Sequence, residues 1–412
     1  MKQLILCDAI FRSLKDENSS ISGYLIIDEG KIQTIAEGFP SQEALRQADE
    51  LFDFRGKTLT AGLVDAHTHL VFGGSREKEL AMKLAGKSYM EIHRAGGGIK
   101  STMKATRAAD DEELRTKTLG TLRSMLLHGT TTVEAKSGYG LDRDTELRVL
   151  RLMARLRREQ PLDIVSTYMG AHDVPPEFDS AEAYADFIIE TMIPLVRQEN
   201  LAEFFDIFCE EGIFDLAVSE RLGRAALKAG FALKMHVDEI ASMGGAGLAA
   251  DLGATSCEHL MAVRDEDIPK LAKSGTVAVL LPATSYFLMA ERYAPARKML
   301  DAGVHVAIAS DYNPGSSPCE NLQMAMYNAC YMMKLEPSDI LRGVTIEAAR
   351  ALGREKEIGS LEPGKKANLT VFDEKNIDAL FYHFGMNHVS DVFIEGKRVV
   401  KDRALQPFEL RH

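Results

Sequence analysis

Eleven histidines lie along the 412 residues, and five of them stand at or beside predicted strand ends: His67, His69, His172, His236 and His259. His67 and His69 flank Thr68, so in an extended chain both imidazoles project to the same side, spaced to share one metal ion. On its own such a pair is weak evidence, more often ordinary polar packing than a metal site. His236 from a fifth predicted strand and Asp311 from an eighth change that reading, because three imidazoles and one carboxylate leave room for a water, as catalysis requires. Glu239, three residues past His236, falls where strand gives way to loop, a place for a proton carrier above the metal. A helix N-cap or a surface acid is the alternative. His259, in CEHL, is placed either to hydrogen-bond a reacting water or oxyanion, or to pack as a core histidine. Lys136, ending the second predicted strand, reads as a solvated or salt-bridged lysine.

The elements that must hold these residues are visible as a rhythm. Between about residues 59 and 360, short apolar or β-branched runs alternate with amphipathic stretches, the pattern of parallel β/α units. Eight runs qualify: LTAGLVDAH, TTTVEAKS, IVSTYMGAH, FFDIFCEEGIF, ALKMHVDE, ATSCEHL, TVAVLLPAT and VHVAIASD, ending near 67, 137, 172, 214, 239, 260, 284 and 311. Eight such repeats predict a (β/α)8 barrel, which keeps its chemistry at the C-terminal ends of its strands. Asp111 to His128 is a predicted helix with Leu114, Thr118, Leu122 and Met125 on one stripe, Asp110 or Asp111 as N-cap and Gly129 as stop. From Val71 to Lys104 the segments GGSREKE and HRAGGGIKS interrupt the rhythm, and loops that long are usually functional or disordered. Both chain ends read as strands, and Glu29-Gly30-Lys31 is echoed by Glu395-Gly396-Lys397 between apolar runs. Residues 1–58 and 361–412 are therefore expected to form one small composite β-sandwich domain beside a catalytic barrel at 59–360.

Composition narrows the partners. Lys and Arg total 49 against 61 Asp and Glu, a net charge of −12. With no Lys/Arg-rich run, nucleic acid and anionic membrane surfaces are not expected as partners. No apolar stretch approaches the roughly 18 residues of a bilayer span, and the opening MKQLILCDAIFRSLKDE is charged too early for a signal peptide. Five cysteines, an odd count with no close pair, argue against a disulfide framework or a cysteine zinc ribbon. The expectation is a cytoplasmic protein with a small-molecule substrate; a homodimer stays open.

Taken in order, AHTHLVFGGSREKE, HRAGGGI, KSGYGL, GAHDVP, HVDE, CEHL and ASDYNPGSSP closely resemble the imidazolonepropionase family of the amidohydrolase superfamily, over nearly the whole chain. Many amidohydrolases share the HxH, the HxxE and the final Asp, whereas GGSREKE, the Gly-rich loop and SDYNPGS are specific to the family. The resemblance implies a metal-dependent barrel with a composite β domain, and hydrolysis of 4-imidazolone-5-propanoate to N-formimidoyl-L-glutamate in histidine degradation. It implies one divalent ion, zinc or iron, held by His67, His69, His236 and Asp311. The fourth predicted strand lacks the lysine that often bridges two metals in binuclear relatives. Substrate contacts fall on Arg76, Tyr139, His172, Glu239 and Ser316, and product contacts on Asn313 and Gly315.

Physical chemistry fits those roles. Arg76 would clamp the propionate through its two-pronged guanidinium. Tyr139 and His172 offer neutral hydrogen bonds, and Gly315 with Ser316 a close backbone approach. In the implied mechanism Asp311 and His259 orient a metal-acidified water toward the ring carbonyl, and Glu239 protonates the departing nitrogen. A cytosine deaminase-like aminohydrolase uses the same His, Glu and Asp set and is the alternative; Arg76 separates the two, because cytosine carries no carboxylate.

Overall fold

Two eight-stranded sheets organise the chain, whose computed structural model describes residues 1–14, 20–87, 91 and 97–408. His93 to Gly96 of the HRAGGGI motif lie outside the described residues. The first sheet is parallel and runs in chain order through β5 (Leu63–Asp65), β6 (Thr130–Lys136), β7 (Asp163–Ala171), β8 (Phe204–Cys209), β9 (Ala232–Val237), β10 (Ser256–His259), β11 (Val277–Leu280) and β12 (Val306–Ile308). Its two outer strands meet just past their ends. Asp311 N donates to the His67 carbonyl at 3.0 Å and His69 N to the Tyr312 carbonyl at 2.8 Å, with a parallel bridge between Thr68 and Tyr312. The ring is thus completed by the residues singled out for chemistry. Asp65 reinforces it, accepting from Ser310 N at 3.0 Å and from its hydroxyl at 2.5 Å. This is the (β/α)8 barrel that the rhythm predicts.

Helices pack around it as their apolar stripes require. The helix Asp111–Leu127 is capped by Asp110, whose carboxylate accepts from Glu113 N at 2.8 Å, and ends before Gly129 at φ +96°. Leu114, Thr118, Leu122 and Met125 are all buried. Among the described residues no helix is long and apolar enough to cross a membrane.

Three strand ends differ from expectation, each for a local reason. The fourth stops at Cys209 rather than near 214, because Gly212 at φ +81° turns the chain and only Phe214 rejoins through an isolated bridge. The seventh stops at Leu280; Pro282 then begins the helix Pro282–Phe287, a position that suits its missing N–H. The eighth stops at Ile308, and Asp311, at φ +52°, has already left extended geometry.

The chain ends form the second, mixed sheet. Its order is β16 (Ala404–Leu405), β15 (Lys397–Lys401), β14 (Val389–Ile394), β13 (Leu369–Phe372), β4 (Glu50–Ala61), β1 (Lys2–Phe11), β2 (Ile21–Asp28) and β3 (Lys31–Glu37). β4 joins the two termini, pairing parallel with β1 and antiparallel with β13. Only Gly62 separates it from the first barrel strand. Both Glu-Gly turns place two residues at positive φ: Glu29 and Gly30 at +49° and +77°, Glu395 and Gly396 at +48° and +75°. That is the turn geometry that follows the twist of a hairpin. The turns also touch, since a Cβ on Gly30 would lie 2.7 Å from the Glu395 carbonyl oxygen.

Candidate active site

Three imidazoles and a carboxylate converge at the C-terminal mouth of the barrel. The ring nitrogens of His67, His69 and His236 lie within 4.8 Å of one another. His67 Nε2 is 3.3 Å and His69 Nε2 3.7 Å from Asp311 Oδ1, and His69 Nε2 faces His236 Nε2 at 3.4 Å. Four donors about 2.0–2.2 Å from a shared ion in tetrahedral array stand roughly 3.4 Å apart, so the spacing suits one divalent metal. Two further observations support that fit. Neither His67 nitrogen has a hydrogen-bond partner although both are buried, which leaves lone pairs that a cation would satisfy. Burial also holds the pKa of His67 and His69 well below the ordinary value, so both rings are neutral, as ligands must be.

The supporting hydrogen bonds come from neighbouring strands. His236 gives Nδ1 to Asp206 Oδ1 at 3.0 Å, which turns the Nε2 lone pair to the centre. Asp311 accepts from Thr284 Oγ1 at 2.6 Å, and burial pushes its carboxyl up to about 6.

Beneath these residues lies a buried network of charges that sequence reasoning did not assemble. Lys136 is not solvated: it is fully buried, 2.6 Å from Asp206 and 2.9 Å from Glu134. Burial opposes its charge, but Asp206, Glu134 and Glu258 hold its pKa above the ordinary lysine value. Lys234 lies 3.4 Å from Glu134 and 3.8 Å from Glu258. These side chains come from β6, β8, β9 and β10, and on β6 Glu134 and Lys136 stand two residues apart, the period that keeps side chains on one face.

The rim carries the other residues expected to bind substrate or move a proton. Asp238 caps the next helix, accepting from Met243 N, Gly244 N and Ala246 N at 2.9, 3.0 and 2.9 Å, and so places Glu239 at the mouth. Glu239 is recessed, with 13% of its side chain exposed, and its Oε2 is 3.5 Å from His259 Nε2. Burial, with Asp311 and Glu210 near, pushes its carboxyl up to about 8. His259 sits in left-handed backbone at φ +73°. His172 Nδ1 donates to the Gly138 carbonyl at 3.0 Å, leaving Nε2 as an acceptor, and burial brings its pKa down to about 4. Its ring stacks on His69 at 4.8 Å, with Tyr139 at 5.2 Å. Tyr139 is carried on a loop whose Gly138, Gly140 and Leu141 amides all donate to buried Glu146.

One cavity joins the histidine cluster to Arg76, Tyr139, His172, Glu239, His259, Asn313, Gly315 and Ser316, and also to Lys83, Ile99, Phe208 and Leu288, which sequence reasoning passed over. Two residues differ from expectation in detail. The Nε/Nη2 edge of Arg76 is taken by Glu79, at 2.9 and 2.8 Å, so only its outer edge faces a ligand. Asn313 turns its amide into its own loop, donating to the Asp311 carbonyl and Ser316 Oγ and accepting from Gly315 N and Ser316 N at 2.7–2.8 Å.

A parallel barrel with a composite sheet, carrying at its mouth a His-rich cluster that fits a divalent metal, defines a hydrolase of the amidohydrolase class, and the amidohydrolase family model matches residues 219–399. The imidazolonepropionase of Treponema denticola is 58% identical over 403 residues, covering 97% of this chain and 98% of that protein. That of Fusobacterium nucleatum is 49% identical, covering 97% of each. The chain belongs to the imidazolonepropionase family. Solved structures agree on the fold alone: a zinc-bound adenosine deaminase from Xanthomonas campestris has a TM-score of 0.74 at 19% identity, covering 99% of this chain and 94% of that one. A zinc complex of atrazine chlorohydrolase from Arthrobacter aurescens has a TM-score of 0.68 at 17% identity, covering 99% and 97%.

Proposed function

We propose that the chain opens the cyclic amide of 4-imidazolone-5-propanoate to N-formimidoyl-L-glutamate, the hydrolytic step of histidine degradation. The observation that carries this reading is one cavity lined both by members of the metal-fitting cluster and by a buried guanidinium. A divalent ion, zinc or iron, held by His67, His69, His236 and Asp311, would acidify water and polarise the ring carbonyl. Arg76 and Ser316 receive the propionate end, while Tyr139 and His172 hold the ring by neutral hydrogen bonds. Asn313 and Gly315 shape the loop against which the product lies. Asp311 and His259 orient the water. Glu239, adjacent to His259, delivers a proton to the ring nitrogen as its bond to the carbonyl carbon breaks. Family membership and five free cysteines support a cytoplasmic enzyme; the net charge of −12 argues against nucleic acid as a partner. A homodimer is compatible with this reading.

The test is a hydrolysis assay with imidazolonepropanoate, using cytosine as control and elemental analysis of the purified protein. Consumption of the acid with about one equivalent of zinc or iron, and no ammonia from cytosine, is the expected result. Deamination of cytosine with the acid untouched would overturn it in favour of an aminohydrolase.

A further inference from the structure

We propose that Lys83 is a specificity-determining residue of this cavity, providing the net positive charge that the substrate carboxylate meets; the inference rests on the function proposed above. Arg76 does not provide that charge by itself. Its guanidinium is bound side-on by the Glu79 carboxylate, with both side chains about 95% buried, and Glu79 Oε1 also accepts from Gly98 N at 2.8 Å. The Arg76–Glu79 pair is therefore neutral as a unit. A propionate placed against the outer guanidinium edge would leave one uncompensated negative charge in a recessed site, which is costly.

Lys83 lies where it can cancel that charge. Arg76, Glu79 and Lys83 follow one another at spacings of three and four residues across a short helical segment, so they share a face. Both cations converge on Gly315: a Cβ there would lie 2.0 Å from Arg76 Nη1, and the Lys83 ammonium donates to the Gly315 carbonyl. Phe287 stands 4.8 Å from the ammonium. The hydrogen bond to Gly315 uses one of three ammonium protons and leaves two for an incoming anion. Among the described residues lining the cavity, Arg76 and Lys83 are the only lysines or arginines. With substrate bound, Arg76 and Lys83 balance Glu79 and the propionate, two charges against two.

The test compares wild type, Lys83→Met and Lys83→Arg on imidazolonepropanoate and on its neutral propionamide analogue, with metal content measured in each. Lys83→Met is expected to raise KM for the acid tenfold or more with kcat within about twofold, and to leave the amide and the metal content unchanged. Lys83→Arg is expected to restore most of the acid preference. An unchanged KM for the acid in Lys83→Met overturns the proposal, as does an equal loss on acid and amide, which would mark Lys83 as a structural prop. A wild-type protein that leaves both compounds intact overturns the underlying function instead.

Discussion

His236 presents Nε2 to the metal-fitting cluster because Asp206 captures Nδ1. Replacing it with Ala removes one of four donors, and a three-donor remnant holds a divalent ion weakly. His236→Ala is expected to retain less than a tenth of an equivalent of metal and to lose turnover, as read by elemental analysis and assay. Glu239→Gln keeps the shape but cannot carry the proton. It should hold metal and fold normally while kcat falls by about 10²–10⁴-fold, and an unchanged kcat would shift the proton to His259. The cluster was legible from sequence because HxH spacing and strand-end positions are local signals. Arg76 was legible as a residue but not in its state: Glu79, three residues on, reads equally well as surface charge, and only burial shows that it occupies the guanidinium.

Strand rhythm made the barrel legible, yet the charges inside it were not. Glu134, Lys136, Asp206, Lys234 and Glu258 sit at alternate positions of apolar runs, where a single charge reads as the solvent face. Their pairing depends on which strands become neighbours, and no local window contains that information. Lys136→Met tests the network, because removing one member leaves Asp206 buried with less compensation. Breaking a buried pair costs on the order of 3–5 kcal/mol, so denaturant midpoints should fall accordingly, whereas a surface ion pair would shift them little. Gly315→Ala is the corresponding loop test. The methyl would meet the Arg76 guanidinium at 2.0 Å, and KM for the acid should rise while metal content stays constant.

At the scale of the whole molecule, the repeated Glu-Gly-Lys turns hinted that the chain ends meet, but not how. The partner of the N-terminal half is β13, about 310 residues beyond β4, and the two halves are stitched by Ile32 N to the Lys365 carbonyl at 2.9 Å and by Ala367 N to the Gly30 carbonyl at 2.8 Å. Deleting residues 361–412 would strip β4 of its antiparallel neighbour and the Phe54 ring of Phe393, 6.1 Å away. Such a truncation is expected to aggregate or to be cleaved rapidly near β4 in limited proteolysis. A fragment as protease-resistant as the full chain would show that the sheet does not need its C-terminal half.

That stitching also sets an order of events at the ribosome. β1 to β4 emerge first, but β4 waits for β13 while more than 300 residues are made, on the order of 15–60 s at bacterial-like rates of about 5–20 residues per second. Throughout that interval an unpaired strand edge is open to other nascent chains. The stretch that β13 covers, Thr58 to Ala61, is itself uncharged, and the charges of ELFDFRGKTLTA, Glu50, Asp53, Arg55 and Lys57, stand just before it, flanking charges of the kind that discourage edge-to-edge pairing. The barrel, contiguous in the chain, is free to close in the meantime, so the last strands arrive at a docking surface already built.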